Sequence, residues 1–276
     1  MPFNPSAIQL ADVVTTLRTA GCVFAEDEAQ LLASAAESPD ELDALVARRA
    51  SGLPVEQVVG WADFCGLRIT VDPGVFVPRR RSEFLVRLAT DLGLDLARRA
   101  SAGAGPGGAR CVVIDMCCGS GAVGVALAKA LGGADLHAVD VDPVAVACAR
   151  QNVRGAGRVY EGDLYEPLPA ELRGRVDLLV ANAPYVPTAE IALMPAEARL
   201  HEPRVALDGG PDGVEIHRRV ASEAPQWLSP RGFLLIETSE RQAPLTAEAV
   251  SRSGLAAEVV MDEDWSAAAV IGSRRG

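Results

Sequence analysis

Hydrophobic positions change period twice along the chain, and each change marks a different kind of element. Ile8, Ala11, Val14 and Leu17 recur at helical spacing before Gly21, and Glu28 to Ala36 carries a second short helical pattern. Ser38-Pro39-Asp40-Glu41 reads as a helix start. Ser38 caps, Pro39 fits the first turn and Glu41 can close a capping box, so a helix runs through Leu42, Leu45 and Val46 until Gly52 ends it. Residues 1–60 are therefore expected to form a small helical domain. From 61 to 77 the period shortens: Phe64, Leu67, Ile69 and Val71, then Val75-Phe76-Val77, flank Gly66 and Asp72-Pro73-Gly74 as strands flank turns. This predicts a β-hairpin linker over 61–81. Ser82 opens an amphipathic helix through Phe84, Leu85, Leu88 and Leu92, and a Gly/Ala-rich loop follows from Ser101 to Gly108.

Beyond that loop, short apolar runs alternate with helical stretches. Strands are predicted at Cys111 to Asp115, Leu136 to Asp140, Val176 to Ala181, Phe233 to Glu237, Ala257 to Met261 and Ala268 to Ile271. Helices fall at Ala122 to Leu131, Val144 to Val153, Val214 to Leu228 and Leu245 to Ser253. Continuous apolar runs separated by helices imply an α/β, Rossmann-like domain over 82–276, its mostly parallel sheet covered on both faces. No fixed-period repeat interrupts the pattern.

The bulk numbers narrow the class. At 276 residues, 49% hydrophobic and 23% charged, the chain can bury a substantial core without staples. Met1 to Leu10 has neither a basic leader nor an apolar core, and no run of about 18 apolar residues occurs, so a cytoplasmic location and no membrane partner are expected. Cysteines 22, 65, 111, 117, 118 and 148 form no C-x-x-C pair or metal spacing and read as reduced thiols, so no metal is expected. A net charge of -11 argues against a broad nucleic-acid surface. The one dense basic run, Arg79-Arg80-Arg81, is either a set of local ion-pair partners or a docking element.

Candidate chemistry begins where a strand meets Cys117-Cys118-Gly119-Ser120-Gly121-Ala122-Val123-Gly124. Gly119, Gly121 and Gly124 fit a tight turn, a close ligand approach and close helix packing. Asp140 ends the next strand about 20 residues beyond, where a carboxylate can accept from two ribose hydroxyls. Those features suit a dinucleotide equally well. Asp115 separates the two, because a carboxylate just ahead of Gly119 would repel a pyrophosphate but attract the amino group and sulfonium of S-adenosylmethionine. Asp163, after a further strand, can reach the adenine amino group. The plainer alternative is that such acids cap helices, as Asp142 before Pro143 is placed to do.

Asp177 to Ala181 is a buried strand that runs into Asn182-Ala183-Pro184-Tyr185. Pro184 pushes Ala183 out of helical geometry and frees its carbonyl to point outward. The Asn182 amide oxygen and that carbonyl would be two acceptors for the two hydrogens of an amide or amine nitrogen, with the Tyr185 ring stacked on a planar target. An amide nitrogen is a poor nucleophile, so such a loop serves by holding it in line and stabilising the charge that develops on it. No strong general base stands out, and His201 is given no catalytic role.

At this point the chain resembles the HemK-type protein-(glutamine-N5) methyltransferases, which modify the Gly-Gly-Gln loop of peptide-chain release factors. The resemblance implies a seven-stranded class I S-adenosylmethionine-dependent methyltransferase domain behind a helical substrate-recognition domain and a hairpin linker. Val77-Pro78-Arg79 and Glu83 match the linker motif, which implies that Arg79 contacts substrate. By the same resemblance, Asp115, Cys117, Gly119, Gly121, Asp140, Val141, Asp163, Leu164 and Asn182 contact cofactor, while Asn182, Pro184 and Tyr185 contact the substrate. Glu202 to Gly210 matches a further signature. Two positions depart from the pattern. Ala183 replaces a proline in Asn-Pro-Pro-Tyr, and Arg80-Arg81-Ser82-Glu83 stands where Pro-Glu-Thr-Glu is usual, which implies a divergent paralogue.

Three functions follow. The first is methyl transfer from S-adenosylmethionine to a protein glutamine, in a release factor or a related protein. The second is N-methylation of a nucleobase or small molecule, which the acidic balance disfavours for DNA. The third is a non-catalytic binding module of the same fold.

Overall fold

Strands that are apolar on both faces are satisfied only between two layers of helix, and the central residues build that arrangement. The computed structural model describes residues 3, 5–101 and 110–274. The N-terminal part comprises α1 (Ala7–Thr19), α2 (Ala25–Ala35), α3 (Pro39–Ala50) and α4 (Val55–Val59), followed by the hairpin β1 (Trp61–Phe64) and β2 (Leu67–Thr70) and the long helix α5 (Glu83–Ser101). Then come β3 (Val112–Met116), α6 (Ala122–Ala130), β4 (Asp135–Asp140), α7 (Pro143–Asn152), β5 (Gly157–Glu161) and β6 (Val176–Ala181). The chain closes with α8 (Ala196–His201), α9 (Glu215–Trp227), β7 (Leu228–Thr238), α10 (Ala243–Arg252), β8 (Leu255–Asp262) and β9 (Ala267–Arg274).

The seven strands pair in the order β5-β4-β3-β6-β7-β9-β8, with β9 antiparallel to both its neighbours. Chain order reverses between β3 and β6, so the loops leaving their carboxyl ends diverge and open a crevice. Successive residues of β3 face opposite cores. Val113 packs with Phe84, Leu85, Leu127 and Leu136 on one face, and Val112, Ile114 and Met116 pack with Val220, Ala224 and Trp227 on the other. Each fully buried aliphatic side chain of this kind stabilises the fold by roughly 1.5–3 kcal/mol.

The caps behave as the sequence indicates, with one shift of partner. Ser38 Oγ accepts from Glu41 N at 3.2 Å, but the Glu41 carboxylate reaches back to Glu37 N at 2.6 Å, one residue beyond the expected box. Asp142 caps α7 through Val144 N at 2.9 Å. The hairpin turns on Cys65 and Gly66, both at positive φ, and Glu83 Oε1 accepts from Cys65 N at 3.0 Å to tie the turn to α5.

Several local expectations are corrected. On α1, Leu17 is buried as expected and Val14 packs on the same cluster, but Val13 enters the core while Ile8 is 74% exposed and Ala11 faces out. Val75 and Val77 are buried yet join no ladder, since the Val77 amide is taken by Glu202 Oε1 at 3.2 Å. Helix α4 went unanticipated because five residues are too few to show a period. Ser101 closes α5, and the expected loop from 102 to 108 lies outside the described residues. No helix among the described residues is long and apolar enough to cross a membrane.

The N-terminal helices meet the rest through an ion pair and a hydrogen bond. Arg49 binds Glu28 Oε2 at 2.7 Å beneath the surface and Glu197 of α8 at 3.1 Å. Gln57 Nε2 donates to Val75 O at 2.9 Å.

Candidate active site

A cavity of about 300 Å³ occupies the crevice at the carboxyl ends of β3, β4 and β6. That volume suits a nucleoside-sized ligand. Asp115, Cys117, Gly119, Asp140, Val141, Asp163, Leu164, Asn182 and Pro184 all line it. Gly121, Ala183, Tyr185 and Arg79 are not among its lining residues.

The loop after β3 is shaped by backbone that few side chains tolerate. Cys117, Gly119 and Gly121 have φ of 57°, 55° and 78°. Gly121 is a packing glycine rather than a wall of the cavity, for a Cβ there would lie 2.9 Å from Val153 Cγ2. Gly124 is equally constrained, because its Cβ would meet Asp115 Oδ2 at 2.9 Å. Its amide instead donates to that oxygen at 2.8 Å. Burial pushes the Asp115 carboxyl up to about 8; the Gly124 amide pulls the other way and the neighbouring charge of Asp140 adds to the rise.

Asp140 joins the two loops that frame the cavity. Its Oδ2 accepts from Gly119 N at 2.8 Å and its Oδ1 from Asp142 N at 2.9 Å. Burial raises its pKa and these amides oppose the rise. Each oxygen keeps a further lone pair for a ligand. Asp163 carries a partner that the sequence did not reveal, Arg219 of α9, whose Nη2 lies 2.7 Å from Oδ2. Arg219 and Ile216 both line the cavity, and their three-residue spacing on one helix face was the signal available for them. Phe76, Pro78, Pro203, Val205 and Ala206, from the linker and the 202–210 segment, complete an apolar wall.

Asn182 follows β6 directly into the cavity, and its Nδ2 donates to Ser82 Oγ at 3.1 Å. With the nitrogen committed there, Oδ1 is the end left for a ligand. Ala183 is 1% exposed. Its backbone acts to raise the pKa of the His217 ring, whose Nδ1 is paired with Thr246 Oγ1 at 2.9 Å. Burial outweighs it and lowers His217 to about 4. Tyr185 is half-buried, its OH accepting from Arg81 Nη2 at 2.7 Å. Its carbonyl accepts from Gln242 Nε2 at 2.7 Å.

The 202–210 segment buttresses this loop. Val186 and Asp208 form a parallel bridge. A Cβ at Gly209 would stand 2.7 Å from Tyr185 Cα, so a larger residue there would displace the loop. Glu202, buried, holds the linker through Val77 N and through Arg79 Nη2 at 2.6 Å. Arg79 is thereby placed as a strut between two segments of the cavity wall.

A sheet of this order, with a glycine turn after its first strand, acids at the ends of its first two and an Asn-x-Pro-Tyr turn after its fourth, defines a class I methyltransferase that takes its methyl group from S-adenosylmethionine. The comparisons agree. The Methyltransferase small domain family model matches residues 106–244. A release factor glutamine methyltransferase of Geobacter sulfurreducens is 38% identical over 87% of this chain and 80% of its own length. That of Mycolicibacterium smegmatis is 34% identical over 94% of this chain and 92% of its own. A methyltransferase from Pyrococcus furiosus shares the fold, with a TM-score of 0.54 at 17% identity over 83% of this chain and 96% of that one. The chain belongs to the release factor glutamine methyltransferase family.

Proposed function

We propose that the chain methylates the side-chain amide nitrogen of a glutamine in a cytoplasmic peptide-chain release factor, at the Gly-Gly-Gln loop that the family resemblance implies. The observation that carries this reading is the orientation of Asn182, whose amide nitrogen is held by Ser82 so that its oxygen is left for an N–H of the target. When bound, S-adenosylmethionine supplies a methyl group already activated by the sulfonium charge. The residues fit that ligand: Asp115 for its cationic portion, Asp140 for the ribose, Asp163 for the adenine, and Cys117, Gly119, Val141 and Leu164 as the surrounding wall. Gly121 serves by letting α6 pack closely.

On this reading Asn182 Oδ1 accepts an amide hydrogen of the target, which orients the nitrogen lone pair and stabilises the charge that develops there. Ala183, expected to offer a second acceptor, is 1% exposed and does not line the cavity. Pro184 walls the cavity and Tyr185, fixed by Arg81 and Gln242, supplies a flat face for the amide plane. Arg79 acts on substrate indirectly, by setting the wall through Glu202. The N-terminal helices are proposed to guide the protein substrate, as their ion pair to α8 sets them beside the 188–206 segment that leads to the cavity. The net charge of -11 favours a protein target over a nucleic acid.

The direct test is transfer of labelled methyl to a release factor and to a variant in which the Gly-Gly-Gln glutamine is replaced. Incorporation at that glutamine is expected; labelling of adenine-containing oligonucleotides instead would favour the nucleobase reading.

A second prediction follows from Asp115. Below about pH 8 the carboxyl is protonated when no ligand is present, so a cation gains its full attraction only after the proton leaves. Affinity for S-adenosylmethionine is expected to fall roughly tenfold per pH unit below that value and to level off above it. Calorimetry across this range checks it: a flat profile, or the same slope in Asp115→Asn, refutes the coupling. The same raised pKa gives the ligand-free protein a stabilising contribution that is complete below the unfolded carboxyl value of about 3.9 and is lost as pH rises through about 8.

A further inference from the structure

Behind the Asn182 loop lies a carboxylate to which the reaction assigns no part. Glu237, near the end of β7, is 3% exposed, and neither of its oxygens receives a well-formed hydrogen bond. The groups beside it are the Ser82 hydroxyl and the guanidinium of Arg81, whose Nε is 3.6 Å from Oε1. Burial raises the pKa of Glu237, and both neighbours pull it back towards the charged form. The other end of Arg81 donates to the Tyr185 hydroxyl.

Ser82 is itself 1% exposed and already accepts from Asn182 Nδ2. A hydroxyl has one proton to give, and a charged carboxylate can only accept. If that proton turns to Glu237, only lone pairs are left facing Asn182, and Asn182 must present its NH2 to Ser82. The two ends of an asparagine amide have almost the same shape, so packing does not choose between them; the hydrogen-bond partner does. We infer that Glu237, acting through Ser82, is a positioning residue that fixes which end of the Asn182 amide faces the cavity, with Arg81 holding Glu237 and Tyr185 in register. The inference rests on the reading of Asn182 Oδ1 as the acceptor for the target nitrogen.

Glu237→Gln tests it with little change of volume. A glutamine can donate to Ser82 as well as accept, so the amide of Asn182 is free to turn its NH2 towards the cavity, where it opposes the substrate's own N–H. A fall in kcat of about 10–100-fold is expected, with KM for the release factor and calorimetric affinity for S-adenosylmethionine unchanged, as befits a group acting only when charge develops on nitrogen. Ser82→Ala, a smaller change that spares the sheet, should show the same split. Because both act on the one Asn182 amide, the double variant should be no slower than the worse single one. Normal turnover in Glu237→Gln or Ser82→Ala, or losses that multiply in the double variant, overturns the inference. Asn182→Ala separates the two levels. If it is inactive while Glu237→Gln is normal, the positioning role alone falls; if Asn182→Ala retains full turnover, the nitrogen clamp falls and the positioning role with it.

Discussion

Replacing Asn182 with alanine is expected to lower kcat by about 10²–10³-fold while S-adenosylmethionine affinity stays within about twofold. The asymmetry follows from where the side chain stands. Asn182 reaches the cavity from the end of β6, and its nitrogen is spent on Ser82. Its oxygen contributes most when the attacked nitrogen becomes electron-poor and its hydrogens more acidic, so the interaction strengthens along the reaction. An amide nitrogen has little nucleophilicity to spare, and losing its orientation costs more than it would for an amine. Alanine also leaves Ser82 without its donor, yet the carboxylates proposed to hold the cofactor remain in place. Single-turnover rates together with calorimetry check the prediction, and a variant that turns over normally removes Asn182 from the reaction.

Asp140→Ala should show the opposite split: affinity for S-adenosylmethionine reduced about 100-fold or more, with most of kcat recovered at saturation. Hydrogen bonds to a charged group each contribute about 1.5–3 kcal/mol, so losing even one or two accounts for a change of that size. A second effect adds to it. Asp140 accepts from Gly119 N and Asp142 N, so its loss unties both loops that frame the cavity. Equilibrium binding measures the first effect, and faster amide exchange at Gly119 and Asp142 would report the second. Affinity close to that of the unmodified protein would mean that the ligand does not use the end of β4.

The acids that line the cavity were legible because they obey local rules. Asp115 and Asp140 stand at strand ends beside a glycine turn, and the position of a strand end is written in the alternation of apolar runs. The Asn182 turn was legible for the same reason, since Pro184 punctuates a buried strand. Arg79 was read as a substrate contact, yet its guanidinium lies on Glu202, more than a hundred residues away in the chain. The basic run as a whole was ambiguous. In the fold Arg79 and Arg81 face buried carboxylates, Glu202 and Glu237, and Arg80 stacks over Trp265.

What the sequence determined alone is therefore the set of elements and their punctuation: the capped start of α3, the turn at Gly66, the glycine loop after β3 and the strand that delivers Asn182. Each depends on the conformational preferences of a few consecutive residues, and those act wherever the segment finds itself. The tertiary structure alone decided the partners. Arg219 joined Asp163, Ser82 received the Asn182 amide, and Glu237 was left buried behind both. Hydrogen bonding and desolvation depend on which groups meet after the chain has closed, and a residue's type does not record its neighbours across a sheet.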